Sequence, residues 1–222
     1  MPDAPYTSTE DPDSQTLEPS SDADDVAAPG RKRPKPGERR VQILQALASM
    51  LEQPGGERIT TAALAARLAV SEAALYRHFA SKAQMFEGLI EFIEQSVFSL
   101  INQIVEREQS ASADSVDAGA RQAAKVIAML MQFAEKNPGM ARVMVGDALV
   151  FEHERLQQRM NQFFDKIEAA LKQCLRDDGA DAAVRASVLA AFTAGRLQRF
   201  VRSGFRRLPS ERLDASLALL LG

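Results

Sequence analysis

Apolar residues recur at intervals of three and four along the chain from Glu38 onward, and this helical period constrains the fold more than any other feature. No segment shows the strict alternation expected of half-buried strands. The sequence therefore predicts an all-α fold. The predicted helices span roughly 38 to 53, 61 to 68, a short stretch after Ser71, a long one from Ser81 through Ile101, and then 116 to 136, 140 to 149, 151 to 177, 181 to 206 and 210 to 221.

Two of the long helices have apolar stripes that must be buried against something. The stripe of the segment 151 to 177 consists of Leu156, Met160, Phe163, Ile167, Ala170 and Cys174. The stripe of the segment 181 to 206 consists of Val184, Val188, Ala191, Phe192, Gly195 and Phe200. Two interpretations remain open, because such stripes pack equally well within one subunit or across the two-fold axis of a homodimer.

The charges are strongly segregated along the chain, although the net charge is only -3. Residues 1 to 30 contain eight acidic residues and no Lys or Arg, whereas residues 31 to 82 contain ten basic residues against four acidic ones. A local excess of positive charge is what the phosphate backbone of a nucleic acid attracts.

Three regions are predicted. Residues 1–37 form a disordered acidic tail that ends in a basic arm, since they lack apolar periodicity. The arm is either a solvated tail or a flexible DNA contact. Residues 38–84 form a DNA-binding domain, and residues 85–222 form a helical dimerisation and partner-binding domain.

Composition argues against several classes of function. One cysteine and two histidines supply neither a disulfide nor the ligand cluster of a zinc site, so no metal is expected. No phosphate-binding glycine loop or nucleophile elbow occurs, and His153 lies between two acidic residues where a solvated role is expected, so neither catalysis nor a cofactor is predicted. No apolar stretch approaches the ~20 residues that span a bilayer, and we expect a cytoplasmic protein that makes no membrane contact.

Residues 38 to 79 have the pattern of a three-helix unit that places its last helix in the DNA major groove. Thr60 is placed to cap the second helix, Ala69-Val70 forms a tight turn, and Ser71 is placed to cap the third. Ser81-Lys82-Ala83-Gln84 has the spacing of a capping box at the start of the long helix that follows. Leu75 and Phe79 are four residues apart and would face the core beneath that third helix. The unit is therefore predicted to be a helix-turn-helix.

The outward residues of this unit are the candidate DNA contacts. Small side chains at Ala73 and Ala74 allow close approach to base edges, and Glu72 could accept a hydrogen bond from cytosine or serve a structural role. Thr60 and His78 equally have structural interpretations, as a helix cap and as a hydrogen-bonding side chain. The full candidate set is Thr60, Thr61, Ser71, Glu72, Ala73, Ala74, Tyr76, Arg77, His78, Ser81 and Lys82.

These residues form a recognisable pattern. The runs ITTAALAA (residues 59–66) and VSEAALYRHF (residues 70–79), followed by Ser81-Lys82, resemble the N-terminal domain of TetR-family regulators. The resemblance implies double-stranded DNA as the partner, bound at palindromic sites by a homodimer. Ala69 departs from the pattern, because glycine is common there; a left-handed conformation would cost alanine roughly 1 kcal/mol.

A closer resemblance covers nearly all of residues 38–207 and is to the nucleoid occlusion members of that family. It rests on stretches such as RITTAALAARLAVSEAALYRHFASK, EKNPGMARVMVGDALVFEHERLQQRMNQFF and RFVRSGFR. It implies a nucleoid-associated protein that binds the C-terminal tail of the division protein FtsZ and inhibits ring assembly. By the same resemblance, Phe92, Lys136 and Asn137 would meet that tail between the fourth and fifth helices. From the residues alone, Phe92 is equally a core residue, and Asn137 is a helix terminator before Pro138.

An ordinary ligand-responsive TetR-type repressor is the alternative. It needs the same DNA-reading unit and differs only in the C-terminal half, where Met-, Phe- and Ala-rich helices line a pocket or fill a core. The core interpretation is the commoner one, so no small-molecule ligand is expected.

Overall fold

A computed structural model describes residues 37–53, 58–111 and 117–222. Apart from Gly37, the predicted tail and basic arm lie outside these residues. Every regular element within them is helical, which confirms the all-α prediction. The α-helices are α1 (Glu38–Leu51), α2 (Thr61–Arg67), α3 (Glu72–Tyr76), α4 (Lys82–Ala111), α5 (Ala118–Lys136), α6 (Pro138–Met144), α7 (Glu154–Cys174), α8 (Ala182–Arg202) and α9 (Leu213–Leu221).

The predicted caps of the short helices are present. The Thr60 hydroxyl accepts a hydrogen bond from Ala63 N at 3.1 Å, and Ser71 accepts one from Ala74 N at 3.2 Å. Each satisfies one backbone donor that the first helical turn leaves without a partner. Helix α2 is seven residues long and α3 is five, so these caps and the packing beneath them replace the stability that length would give.

Helix α2 ends in a Schellman motif at the predicted tight turn. Val70 N donates to Ala65 O at 3.0 Å, and Ala69 N donates to Ala66 O at 3.1 Å. Ala69 takes φ +52°, the left-handed conformation that this position requires. The departure from glycine therefore places a strained alanine at the turn between α2 and α3.

We expect Ala69→Gly to stabilise the protein by about 0.5 to 1 kcal/mol. It removes about 1 to 2 kcal/mol of left-handed strain and adds a smaller entropy loss on folding, about 0.4 to 1 kcal/mol. Urea unfolding measures the change. Ala66→Gly, at an exposed position inside α2, is the matched control and should instead destabilise by about 1 kcal/mol. Equal effects of the two substitutions would contradict the strain argument.

The second half of the chain differs from its predicted helix boundaries at three points. The predicted helix 140 to 149 begins earlier, with Pro138 in its first turn where a missing N–H costs nothing, and ends at Met144 before Gly146 takes φ +78°. A 3₁₀ turn, Asp147–Leu149, follows. Helix α7 begins only at Glu154, because the His153 ring nitrogen Nδ1 accepts from Arg155 N and caps it. A short 3₁₀ segment, Arg176–Asp181, then separates α7 from α8.

The α7 stripe is buried within the subunit, with Leu171 taking the inward place predicted for the half-buried Ala170. The predicted α8 stripe, by contrast, mixes two faces. Phe200 is buried, but Val184 and Val188 are 65% and 48% exposed, and Ala191 and Gly195 are exposed beside them. The inward face of α8 uses other residues, among them Ala186, Leu189, Thr193 and Leu197.

Helices α1 and α6 meet backbone to backbone. A Cβ added at Gly139 would collide with the carbonyl oxygen of Ala48, so only glycine allows this approach. The buried Arg142 donates to Leu51 O at 2.8 Å and to Gln53 O at 3.2 Å, which caps the C-terminal end of α1. This junction joins the first helix of the DNA-reading unit to the second half of the chain.

Candidate nucleic-acid interface

Helix α3 presents the predicted outward face. Leu75 and Phe79 are each 1% exposed and hold the helix on the core, whereas Glu72, Ala73, Tyr76 and Arg77 are exposed. Ala74 is half-buried. The face therefore combines small side chains at its N-terminal end with longer polar ones toward its C-terminal end, which is the arrangement expected of a helix that approaches base edges.

A hydrogen-bonded group fixes α3 against α2. The Thr61 hydroxyl donates to Glu72 Oε2 at 2.6 Å, and the Tyr76 hydroxyl donates to Thr61 Oγ1 at 3.5 Å. The Glu72 carboxylate is thus engaged within the protein, which supports its structural interpretation. The contact also sets the angle between the two short helices, on which the entry of α3 into a groove depends.

Arg40 on α1 holds the opposite end of α3, a contact that no sequence pattern predicts. Its guanidinium donates to the backbone oxygen of His78 at 3.0 Å and lies 4.2 Å from the centre of the Phe79 ring. It is the His78 carbonyl that makes this contact, while the imidazole is exposed. No local pattern could reveal the pair, because 38 residues separate the two in sequence.

The N-terminus of α4 is capped as predicted, with a variation. Ser81 Oγ accepts from Gln84 N at 3.1 Å, but the Gln84 side chain accepts from Ala80 N at 2.9 Å, one residue before the position of a standard capping box. The first residue of this 30-residue helix is Lys82. It lines a small depression together with Thr60 and Thr61, so three of the candidate residues share one surface.

Lys82 is not a free cation in this structure. Its ammonium lies 2.5 Å from the Glu152 carboxylate, in the loop that precedes α7, and 5.7 Å from the centre of the Phe86 ring. The Lys82 side chain is 34% exposed and that of Glu152 only 8%. The predicted phosphate contact therefore has an internal partner that sequence spacing did not indicate.

The three residues predicted to meet a protein partner lie where α1, α4, α5 and α6 come together. Phe92 is half-buried in a shallow depression that it shares with Val41, Leu44 and Met140. Asn137 lies three residues before Met140, at the break between α5 and α6, and its amide donates to Phe133 O at 2.8 Å. Lys136 is exposed beside it. Asn137 thus ends α5, as its alternative interpretation predicted.

A separate open cleft of about 640 Å³ lies between the end of α6, α7 and α8. Met160 and Phe164 line one side, while Gln198 and Arg202 of α8 line another. At the C-terminal end of α7, burial raises the pKa of the Cys174 thiol to about 11, so this cysteine is an unreactive core residue at neutral pH.

Within residues 37–53, 58–111 and 117–222, no three His, Cys, Asp or Glu side chains converge as a metal site would require. Among the same residues, no helix combines the length and apolar character needed to cross a bilayer.

Comparison with known proteins agrees with this architecture. Residues 43–89 match the model of the bacterial regulatory proteins of the tetR family, and residues 120–221 match the SlmA-like model of the tetracyclin repressor-like C-terminal domain. Neither model describes an enzyme. Among solved structures, FadR from Bacillus subtilis in complex with stearoyl-CoA has a TM-score of 0.63 at 15% identity, covering 82% of this chain and 97% of that one. FadR from Bacillus halodurans has a TM-score of 0.67 at 15% identity, covering 85% and 97%.

The helix-turn-helix head and the helical second half define a DNA-binding regulator of the TetR type. Curated relatives narrow this class. The nucleoid occlusion factor SlmA of Idiomarina loihiensis is 49% identical over 185 residues, which cover 80% of this chain and 90% of that protein. SlmA of Aliivibrio fischeri strain MJ11 is 48% identical over 196 residues, covering 84% and 96%. The chain therefore belongs to the SlmA family of nucleoid occlusion factors.

Proposed function

We propose that this protein binds palindromic duplex DNA as a homodimer and, on the DNA, captures the C-terminal tail of FtsZ, which inhibits ring assembly over the nucleoid. The observation that carries the proposal is the outward face of α3, held at both ends by Thr61 and Arg40, in a chain nearly half identical to named nucleoid occlusion factors.

Readout of bases is assigned to the exposed face of α3. The Ala73 methyl can pack against a thymine methyl, and Arg77 can donate to a guanine or to a phosphate. Around this face, Lys82 at the N-terminus of the long helix α4 and the hydroxyls of Thr60, Thr61, Ser71 and Ser81 are suited to positioning the protein on phosphates. Binding of chromosomal DNA through these contacts would keep the protein on the nucleoid, within the cytoplasm.

Dimerisation is assigned to the exposed stripe of α8. Val184, Val188, Ala191 and Gly195 are spaced by four, three and four residues and so lie on one face. Small residues at Ala191 and Gly195 permit close approach of a second α8, and a two-fold axis would pair this stripe with itself. Two recognition helices then address half-sites about one helical turn apart, ~34 to 36 Å.

The FtsZ tail is assigned to the surface around Phe92. Phe92 is a half-buried aromatic beside the apolar side chains of Leu44 and Met140, and aromatic residues of this kind can dominate the binding energy at interfaces. The exposed Lys136 adds a cation at the edge, and Asn137 positions the turn between α5 and α6.

A ligand-responsive repressor is the second candidate, and the 640 Å³ cleft is the observation that favours it. Its volume lies within the range of small-molecule sites, about 300 to 1,000 Å³. Ala191 and Gly195 line the cleft and also belong to the exposed α8 stripe, so a second copy packed there would cover part of its mouth. This relationship favours an interface over a ligand site.

A pull-down with an FtsZ tail peptide, with and without cognate duplex, tests the proposal. We expect Phe92→Ala to weaken tail binding by about thirtyfold, the factor that corresponds to a hot-spot loss of about 2 kcal/mol, and to leave DNA affinity unchanged. Phe164→Ala removes another half-buried phenyl, at the cleft, and should retain tail binding. Absence of tail binding by the wild-type protein in both conditions would favour the repressor, and unfolding of Phe92→Ala would return Phe92 to the core.

A further inference from the structure

The loop between the 3₁₀ turn and α7 reaches across to the DNA-reading unit. Phe151 stacks on Arg58, with the guanidinium 4.5 Å from the ring centre, and Glu152 pairs with Lys82 at 2.5 Å. Both basic residues belong to the positively charged segment of the chain, so the loop contacts the groups that a phosphate backbone would attract.

Glu152 is a suitable stand-in for a DNA phosphate. Its carboxylate presents anionic oxygens to the Lys82 ammonium as a phosphate would, at the edge of the depression that Thr60 and Thr61 share with Lys82. The Glu152 side chain is 8% exposed, so in this structure its carboxylate faces Lys82 and is largely shielded from water.

The rest of the loop is suited to release. Val150 and Phe151 are 60% and 59% exposed, so burial contributes little to holding their side chains, and the contacts with Lys82 and Arg58 tie this stretch to the helix-turn-helix unit. The loop is continuous with α7, whose Arg155 pairs with Glu87 of α4 at 2.8 Å. A displaced loop would therefore alter the junction between α4 and α7.

We propose that Glu152 occupies Lys82 as an internal competitor for DNA phosphate, and that DNA binding displaces it and frees residues 150–153. The inference rests on the proposed DNA binding and adds its regulation. Binding of DNA to the helix-turn-helix unit would change the second half of the chain through this loop. The Lys82 ammonium has three donors, but a phosphate that approached it beside the Glu152 carboxylate would be repelled by that like charge, so the two anions compete.

Affinity measurements with Glu152→Gln test the competition. The neutral amide removes the competitor, and we expect binding to both palindromic and random duplex to tighten by about fivefold for each subunit, the factor equivalent to about 1 kcal/mol for a partly exposed pair. Glu154→Gln is the matched control, since it removes the same charge two residues away, at an exposed position at the start of α7. Equal affinities of the two variants, or weaker binding by Glu152→Gln, would overturn the inference.

Release of the loop has its own reporter, because the chain contains no tryptophan. In Phe151→Trp the indole can still stack on Arg58, and saturation with duplex should increase its quenching by acrylamide. Combined with Glu152→Gln, the same reporter should be more readily quenched without DNA. Leu219→Trp, at an 88% exposed position on α9, should respond to neither change.

The two readouts separate the possible failures. Suppose that the wild-type protein binds no duplex, but Glu152→Gln still makes the Phe151→Trp indole more readily quenched. The proposed DNA binding is then wrong, while the role of the Lys82–Glu152 ion pair in holding the loop is supported. If the protein binds duplex with no change in quenching, DNA does not displace the loop and the inference is wrong.

Discussion

Gly139→Ala is expected to destabilise the protein by about 3 kcal/mol, the upper part of the usual cost of overpacking a close contact. The added methyl would collide with the carbonyl oxygen of Ala48, which is backbone and has no rotamer to change. Helices α1 and α6 must then separate, and the Arg142 hydrogen bonds to Leu51 and Gln53 at the end of α1 weaken with them. Urea unfolding of the purified variant measures the loss.

The helix propensities of glycine and alanine predict the opposite change in stability for Gly139→Ala. Alanine is the better helix former by up to about 1 kcal/mol, so propensity and collision have opposite signs. A variant as stable as the wild type, or more stable, would mean that α1 and α6 do not approach as closely as described. Because α1 also holds α3 through Arg40, we expect the same variant to lose DNA affinity at temperatures where it is still folded.

The elements that sequence predicted correctly are those with local causes. Thr60, Ser71 and Ser81 each cap a helix three residues before the donor that they satisfy, so spacing alone identified them. The left-handed conformation at Ala69 was considered only because the family resemblance has glycine there, and the structure shows it. Such features depend on a few consecutive residues and leave a pattern in the chain.

The contacts that sequence missed join residues far apart. Arg40 reaches His78 across 38 positions, and Lys82 reaches Glu152 across 70, so no periodicity records them. Lys82 shows the consequence for the candidate site. It is predicted to contact DNA, and the anion beside it in this structure is the protein's own carboxylate. A Lys82→Ala variant would leave the Glu152 carboxylate without its cationic partner. The effect of Lys82→Ala on DNA binding is therefore best measured together with Glu152→Gln.

Helical period also failed to separate the two faces of α8. Alanine, valine and glycine occur all around this helix, and a spacing of three or four describes both its inward and its outward side. Only burial shows that Leu189 and Leu197 face the core while Val184 and Val188 face outward. The outward stripe is what gives the proposed dimer a definite location.

Val188→Glu is expected to convert the dimer into monomers. Val188 is 48% exposed, so the variant should fold, but in a symmetric interface the substitution places two carboxylates near the two-fold axis. An unpaired charge buried in an interface costs about 2 to 5 kcal/mol, so the dimer dissociation constant should rise by a factor between about 30 and several thousand. Sedimentation equilibrium measures this constant directly.

The DNA readout and its control complete the test. A monomer carries one recognition helix, so Val188→Glu should bind a palindrome no more tightly than a single half-site, whereas we expect the wild-type protein to prefer the palindrome strongly. Gln103→Glu introduces the same charge at an exposed polar position on α4 and should leave both the dimer and its DNA preference intact. If Val188→Glu remains as dimeric as Gln103→Glu, the two-fold axis lies elsewhere, and the α8 stripe needs a different partner to explain why four neighbouring apolar or small residues face outward.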